Sequence, residues 1–139
     1  MYLFLGCESG WKEFDNSCYK LHLSFRTWYD ARDDCLTQDS HLTSVHSDDE
    51  QNFIETELGI SMTMWIGGKR IGGTDDFEWE DGTYFDYTHW YYNQPDGQGC
   101  IAMSTMDNNW FYYWQDYYCT QETFYYICKK NYSNRQMNY

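Results

Sequence analysis

Six cysteines, at positions 7, 18, 35, 100, 119 and 128, are spread over a chain of 139 residues. An even number of cysteines in a short chain points to a disulfide framework in an oxidising compartment rather than to reactive thiols. No two of them lie within three residues of each other, so the close Cys or His pairs typical of zinc sites are missing. Spacing alone leaves all fifteen pairings open. A chain of this length makes one domain, residues 1–139, whose core is small enough to benefit from covalent staples.

The formal net charge of −13 includes acidic runs at Asp48-Asp49-Glu50 and Asp75-Asp76. Such a surface repels phosphate backbones and anionic lipid, so nucleic acid is not an expected partner. No apolar segment approaches the roughly 20 residues that would span a bilayer, and membrane insertion is not expected. The cysteines lead to an expected secreted location, and since the opening Met1–Gly6 is too short for the core of a signal peptide, any export signal is expected to have been removed or never included. Aromatic residues make up 22% of the chain, more than the core needs, so some are expected at the surface.

Two helices are legible. Thr27 with Asp30 three residues on, and Trp28, Ala31 and Cys35 on one face, predicts a helix over 27–35. Ser47 with Glu50 repeats the device, giving a second helix with Phe53, Ile54 and Leu58 as its buried stripe and Gly59 as its end. From Met64 onward the pattern changes to short β-rich runs, among them Met64–Gly67, Phe77–Gly82, Trp110–Trp114 and Phe124–Cys128. Helices first and strands after predict an α+β domain with helices flanking an antiparallel sheet. Between Gly82 and Trp110 runs a long irregular stretch that holds the chain's single proline, in Asn93-Gln94-Pro95-Asp96-Gly97-Gln98-Gly99-Cys100. Long loops in compact domains carry function. Near the end, Asn131-Tyr132-Ser133 is a glycosylation sequon, used only in a eukaryotic secretory setting.

These marks together resemble the C-type lectin-like domain over nearly the whole chain. They are the Cys7 and Trp11 opening, the helix ending on Cys35, His41–Ser47, Trp65-Ile66-Gly67-Gly68, and Trp79 before Asp81-Gly82. They continue with Trp90 before Gln94-Pro95-Asp96, Trp114-Gln115-Asp116 before Cys119, and Tyr126-Ile127-Cys128. The resemblance implies the pairings Cys7 with Cys18, Cys35 with Cys128, and Cys100 with Cys119. It also implies two helices flanking antiparallel sheets, with a long irregular ligand-binding loop.

In sugar-binding members of the family, side-chain oxygens on either side of a cis proline hold a calcium ion, which takes six to eight oxygens in irregular geometry. Carried over by position, the ligands of such an ion are Gln94, Asp96, Gln98, Gln115 and Asp116. The same residues, together with Trp110 as a stacking ring, are the expected sugar contacts. Gln98 falls where the family usually has glutamate, and Gln115 where it has asparagine. That leaves two carboxylates instead of three, so calcium should be held weakly, with help from another group, or not at all. Asp86 and Asp107 are acidic residues that could substitute, and Tyr92 and Tyr112 are further aromatic candidates. A second calcium near Asp75 and Asp76 is left open.

The Gln-Pro-Asp order is the one that, by resemblance, accompanies galactose and N-acetylgalactosamine. The implied function is a secreted, calcium-dependent, galactose-type lectin. Such sites are shallow, so a homo-oligomer, dimer or higher, is expected for avidity. The alternative is a lectin-like domain with a degraded calcium site that binds a protein partner or a surface. No enzyme is expected. The histidines show no metal spacing, GxSxG is absent, and no acidic pair is singled out.

Overall fold

The computed structural model describes residues 2–105 and 111–137, and the side chains of residues 6–105 and 111–132. Thr27 is extended, and its hydroxyl accepts the Asp30 N–H at 3.3 Å to start helix α1 (Trp28–Leu36), which buries Trp28, Ala31 and Cys35 as expected. Ser47 caps α2 (Asp48–Glu57) in the same way, accepting from the Glu50 N–H at 3.1 Å. Leu58 is the C-cap, with Gly59 immediately after it.

Glu50 does not close the expected box. One of its oxygens accepts the His46 N–H at 2.7 Å, and the other meets Lys129 Nζ at 2.6 Å and the Tyr19 hydroxyl. The inward face of α2 is therefore Glu50, Gln51 and Ile54, with Phe53 only half-buried. A buried carboxylate needs such partners, and the stripe read from apolar residues alone lies partly off the true face.

Among the described residues the strands begin with β1 (Tyr2–Gly6), β2 (Lys12–Phe14) and β3 (Ser17–Arg26) before α1, with β4 (His41–Leu42) between the helices, so strands precede both helices as well as follow them. After α2 come β5 (Met64–Arg70), β6 (Phe77–Trp79), β7 (Cys100–Thr105), β8 (Tyr112–Tyr117) and β9 (Phe124–Asn131), and then a tenth strand, β10 (Ser133–Met137). The expected order of helices first and strands after is thus corrected. The early strands close onto late ones, β1 against β10 and β3 against β9. The main sheet runs β2-β3-β9-β5-β7-β8, with β4 on β9 and β6 on β5. It is antiparallel except where β5 and β9 run parallel, so the sheet is mixed.

Strand β5 is the spine of the core. Met64 to Gly68 are all buried on it. The indole of Trp28 donates to the Ile66 carbonyl at 2.9 Å, and that of Trp65 donates to the Arg26 carbonyl at 2.8 Å. Both large rings are thereby buried with their N–H groups satisfied. Gly67 lies so close to β4 that a Cβ on it would stand 2.5 Å from the Leu42 carbonyl oxygen.

The disulfides join Cys7 to Cys18, Cys35 to Cys128 and Cys100 to Cys119. The second closes a loop of 93 residues and ties α1 to β9, whereas the first spans 11. Replacing Cys35 and Cys128 together by alanine should cost about 4 to 5 kcal/mol of unfolding free energy on the chain-entropy account, against about 3 for the Cys7 and Cys18 pair. Denaturant midpoints of the two double variants, measured side by side, check the order.

Candidate functional site

The long stretch after β6 is stitched onto β8 first at Trp114. Trp114 donates its backbone N–H to the His89 carbonyl at 2.8 Å, and the Tyr91 N–H donates to the Trp114 carbonyl at 2.9 Å. The Trp114 ring is fully buried and donates its indole N–H to Gln51 at 2.9 Å, so the stitch is anchored on α2. Edge-on contacts with Trp79, Phe85 and Trp90 pack the loop's aromatics around it. This holds the segment around Pro95 against the end of the sheet.

Two residues along β8, Asp116 collects that segment. Its side chain has no exposure, and its carboxylate accepts three consecutive loop N–H groups: Asp96 at 3.0 Å, Gly97 at 3.0 Å and Gln98 at 2.8 Å. Successive backbone amides wrapped round an anion form a nest. Gly97 makes the wrap with φ at +108°, a conformation that favours glycine. The Gln94–Pro95 peptide is cis.

Arg70, the last residue of β5, completes the arrangement. Its Nη2 lies 3.0 Å from Asp116 Oδ2, its Nε donates to the Gln98 carbonyl at 2.8 Å, and its Nη1 donates to the Thr74 carbonyl at 3.0 Å. The guanidinium also stands 4.6 Å from the centre of the Phe77 ring. Its side chain is only 10% exposed. Burial pushes the Asp116 carboxyl up, but the Asp96 and Gln98 amides and the Arg70 charge outweigh that and hold it below the usual carboxylate range.

Asp96 stands outside this nest on the surface. Its carboxyl hydrogen-bonds to that of Asp116, which raises it above the usual range, while a hydrogen bond from the Gln94 side chain partly offsets the rise. Gln94 also meets the Asp116 N–H with its amide oxygen, at a long 3.4 Å.

The structure thus brings Gln94, Asp96, Asp116 and the backbone of Gln98 together. Gln115 is placed differently. Burial along β8 alternates, with Tyr112, Trp114 and Asp116 inward and Tyr113, Gln115 and Tyr117 half-buried on the other face. The Gln115 amide oxygen accepts the Tyr117 hydroxyl at 2.8 Å. Trp110 and Asp107 lie outside the described residues. Asp86 is bound to His46 at 2.7 Å. Tyr112 is a core residue whose hydroxyl accepts the Ser61 N–H at 2.7 Å, so it offers no stacking face, whereas Tyr92 is 81% exposed.

These donors do not fit a resident calcium ion. Asp116 accepts loop amides on both oxygens and the Arg70 guanidinium on Oδ2, Gln115 is taken by the Tyr117 hydroxyl, and the guanidinium already sets a fixed positive charge against the same carboxylate. Among the described residues, no three His, Cys, Asp or Glu side chains gather so as to hold a metal.

Beside the loop opens a cleft of about 450 Å³ walled by Phe77, Phe85, Trp90 and Pro95, with Asp75 and Asp76 at its edge. A larger groove of about 640 Å³ elsewhere runs past Lys129 and Lys130, but those ammonium groups are paired with Glu50 and Glu8. Sequence reasoning missed both Arg70 and the cleft. One signal was available for the first, a lone arginine ending the Trp65-Ile66-Gly67-Gly68 run in a chain short of the usual carboxylates.

Residues 24–130 match the family described as Lectin C-type domain. The chain belongs to the C-type lectin domain family. It is 36% identical over 128 residues to the versican core protein of Rattus norvegicus, covering 88% of this chain but only 4% of that one. A crystal structure of a calcium-independent type II antifreeze protein superposes with a TM-score of 0.83 at 28% identity, covering 94% of this chain and 98% of the other. The carbohydrate-recognition domain of cow CD23, solved in the presence of a GlcNAc2Man3 oligosaccharide, gives 0.80 at 26% identity over 91% and 96%. Domains of this family are generally non-enzymatic binding modules.

The two carboxyls respond to pH in opposite senses. Asp116, held low, stabilises the lectin domain above its unfolded value near pH ~4 and loses that contribution as pH falls through its folded value. Asp96, held high, costs stability as it ionises with rising pH. Asp96→Asn, which still donates to Asp116, should therefore raise Tm at neutral pH, with the gain vanishing in acid, as calorimetric scans across pH would show.

Proposed function

We propose that the chain is a secreted, non-catalytic carbohydrate-binding domain that takes a galactose-type sugar at the edge formed by Gln94, Asp96 and the Gln98 side chain. The observation that carries this reading is the placing of the Gln94 amide and the exposed Asp96 carboxyl on either side of Pro95, which itself lines an aromatic-walled cleft. The Gln94 amide can donate and accept, and the Asp96 carboxylate only accepts, so neighbouring sugar hydroxyls are met by groups of different kind in a fixed order. Trp90 and Phe85, both half-buried, offer apolar surface for the carbon-bonded face of the ring, the role expected of Trp110.

The partners of these side chains do not suit a calcium-assisted form of recognition with the ion on Gln94, Asp96, Gln98, Gln115 and Asp116. Asp116 and Gln115 are committed to other partners. A shallow site of hydrogen bonds and one cleft should hold a monosaccharide in the millimolar range, about 4 kcal/mol, so avidity would come from several copies. Three disulfides support an oxidising, extracellular setting. A second reading, recognition of a protein or other surface, is supported by the likeness to the calcium-independent antifreeze protein and by the exposed rings of Tyr84, Tyr92 and Phe111.

Titrating galactose and mannose into the protein, with chemical shifts of the loop amides as the readout, separates the two. Galactose should bind at millimolar concentration more tightly than mannose, equally well in chelator and in calcium, and at least ~10-fold more weakly to Asp96→Ala. No shift with either sugar would leave the surface reading.

A further inference from the structure

We infer that Arg70 is the built-in cation of this domain, a guanidinium that holds the loops of the candidate site together in place of a divalent ion and leaves their fold independent of calcium. The inference concerns how the site is held and stands whatever the site binds.

Three segments meet at this one side chain. From the end of β5, Arg70 reaches the Thr74 carbonyl and the Asp75 carboxylate at 3.0 and 3.5 Å, the Gln98 carbonyl at 2.8 Å and Asp116 at 3.0 Å. Its own backbone N–H donates to the Gly99 carbonyl at 2.7 Å. Backbone carbonyls and carboxylates converging from separate loops are the donors a hard divalent cation would take, and here a single group satisfies them. A guanidinium suits the task because it cannot lose its proton in a protein and presents its donors in a planar fork. Phe77 closes one face of the plane at 4.6 Å.

Charge makes the two cations alternatives. Asp75, Asp96 and Asp116 carry three formal negative charges and Arg70 returns one, leaving two. Asp75 and Asp96 are exposed, but Arg70 has 10% and Asp116 no exposure, so a calcium ion on Asp116 would face the guanidinium with little water between them. Removing Arg70 leaves all three negative charges, strips Asp116 Oδ2 of its cationic partner while the loop amides stay on it, and frees the carbonyls of Thr74 and Gln98. Those groups suit an oxygen-seeking divalent cation, so calcium should then stabilise what the arginine had held.

The test is thermal unfolding of the purified chain, scanned in chelator and in millimolar calcium chloride. The wild type should give the same Tm in both. Arg70→Ala should lose roughly 10 °C in chelator, because Asp116 is left buried without a counter-charge, and should recover a large part of it in calcium. Calcium should do nothing for the double variant Arg70→Ala, Asp116→Asn. Lysine keeps the charge without the fork, so Arg70→Lys should fall between wild type and Arg70→Ala in chelator. A structural role without charge substitution would show the loss but no rescue by calcium. Should Arg70→Ala fail to fold in chelator, refolding it with and without calcium gives the same decision, and recovery only with calcium supports the inference. A calcium-dependent rise in the wild-type Tm that Asp116→Asn abolishes would overturn it. So would an Arg70→Ala variant that calcium does not help.

Discussion

Arg70 and Asp116 meet at 3.0 Å with almost no exposure, and the order of the long loop depends on that meeting. Asp116 is the anion on which the amides of Asp96, Gly97 and Gln98 converge, and an anion so buried needs a counter-charge at hand. Arg70 supplies it and spends its remaining donors on the carbonyls of the two loops alongside. An irregular stretch of chain is thereby held by charge-assisted hydrogen bonds rather than by a ladder. The side chains it projects outward, Gln94 and Asp96, stay accessible because the inward work is done by others.

That pair is aimed by the framework beneath it. Arg70 is the end of β5, whose buried run from Met64 to Gly68 is fixed by the indoles of Trp28 and Trp65, while Asp116 sits on β8, two strands away across β7. The Cys100–Cys119 bridge ties the start of β7 to the chain just past β8, next to the loop amides. On the far side, Glu50 and Lys129 form a second buried ion pair joining α2 to β9, backed by the Tyr19 hydroxyl. Both ion pairs link segments distant in sequence, which is why neither is visible as a local motif.

Much of the fold was legible because its signals are local. Thr27 and Ser47 announce two helices by capping chemistry, and both start where those residues place them. The order of cysteines and tryptophans carried the family, and with it the three disulfides. Less legible was what depends on partners far along the chain. Strand β3 pairs with β9 over a hundred residues later, so the early strands were not read. Glu50 was read as a capping residue and is a buried hub. At the site, the positions of Gln94, Asp96 and Asp116 around one loop could be carried over, but alternation along β8 turns Gln115 to the other face. The positive charge that offsets Asp116 comes from a strand end about 46 residues before it, a distance no motif reports.

The most direct test of this account is a crystal structure of the domain grown with both calcium and galactose. The account predicts the Arg70 guanidinium against Asp116 and the Gln98 carbonyl, no metal between the loops, and sugar hydroxyls on Gln94 and Asp96 with the ring against the cleft of Phe85 and Trp90. A calcium ion bound by Gln94, Asp96 and Asp116, with Arg70 swung out to solvent, would contradict it.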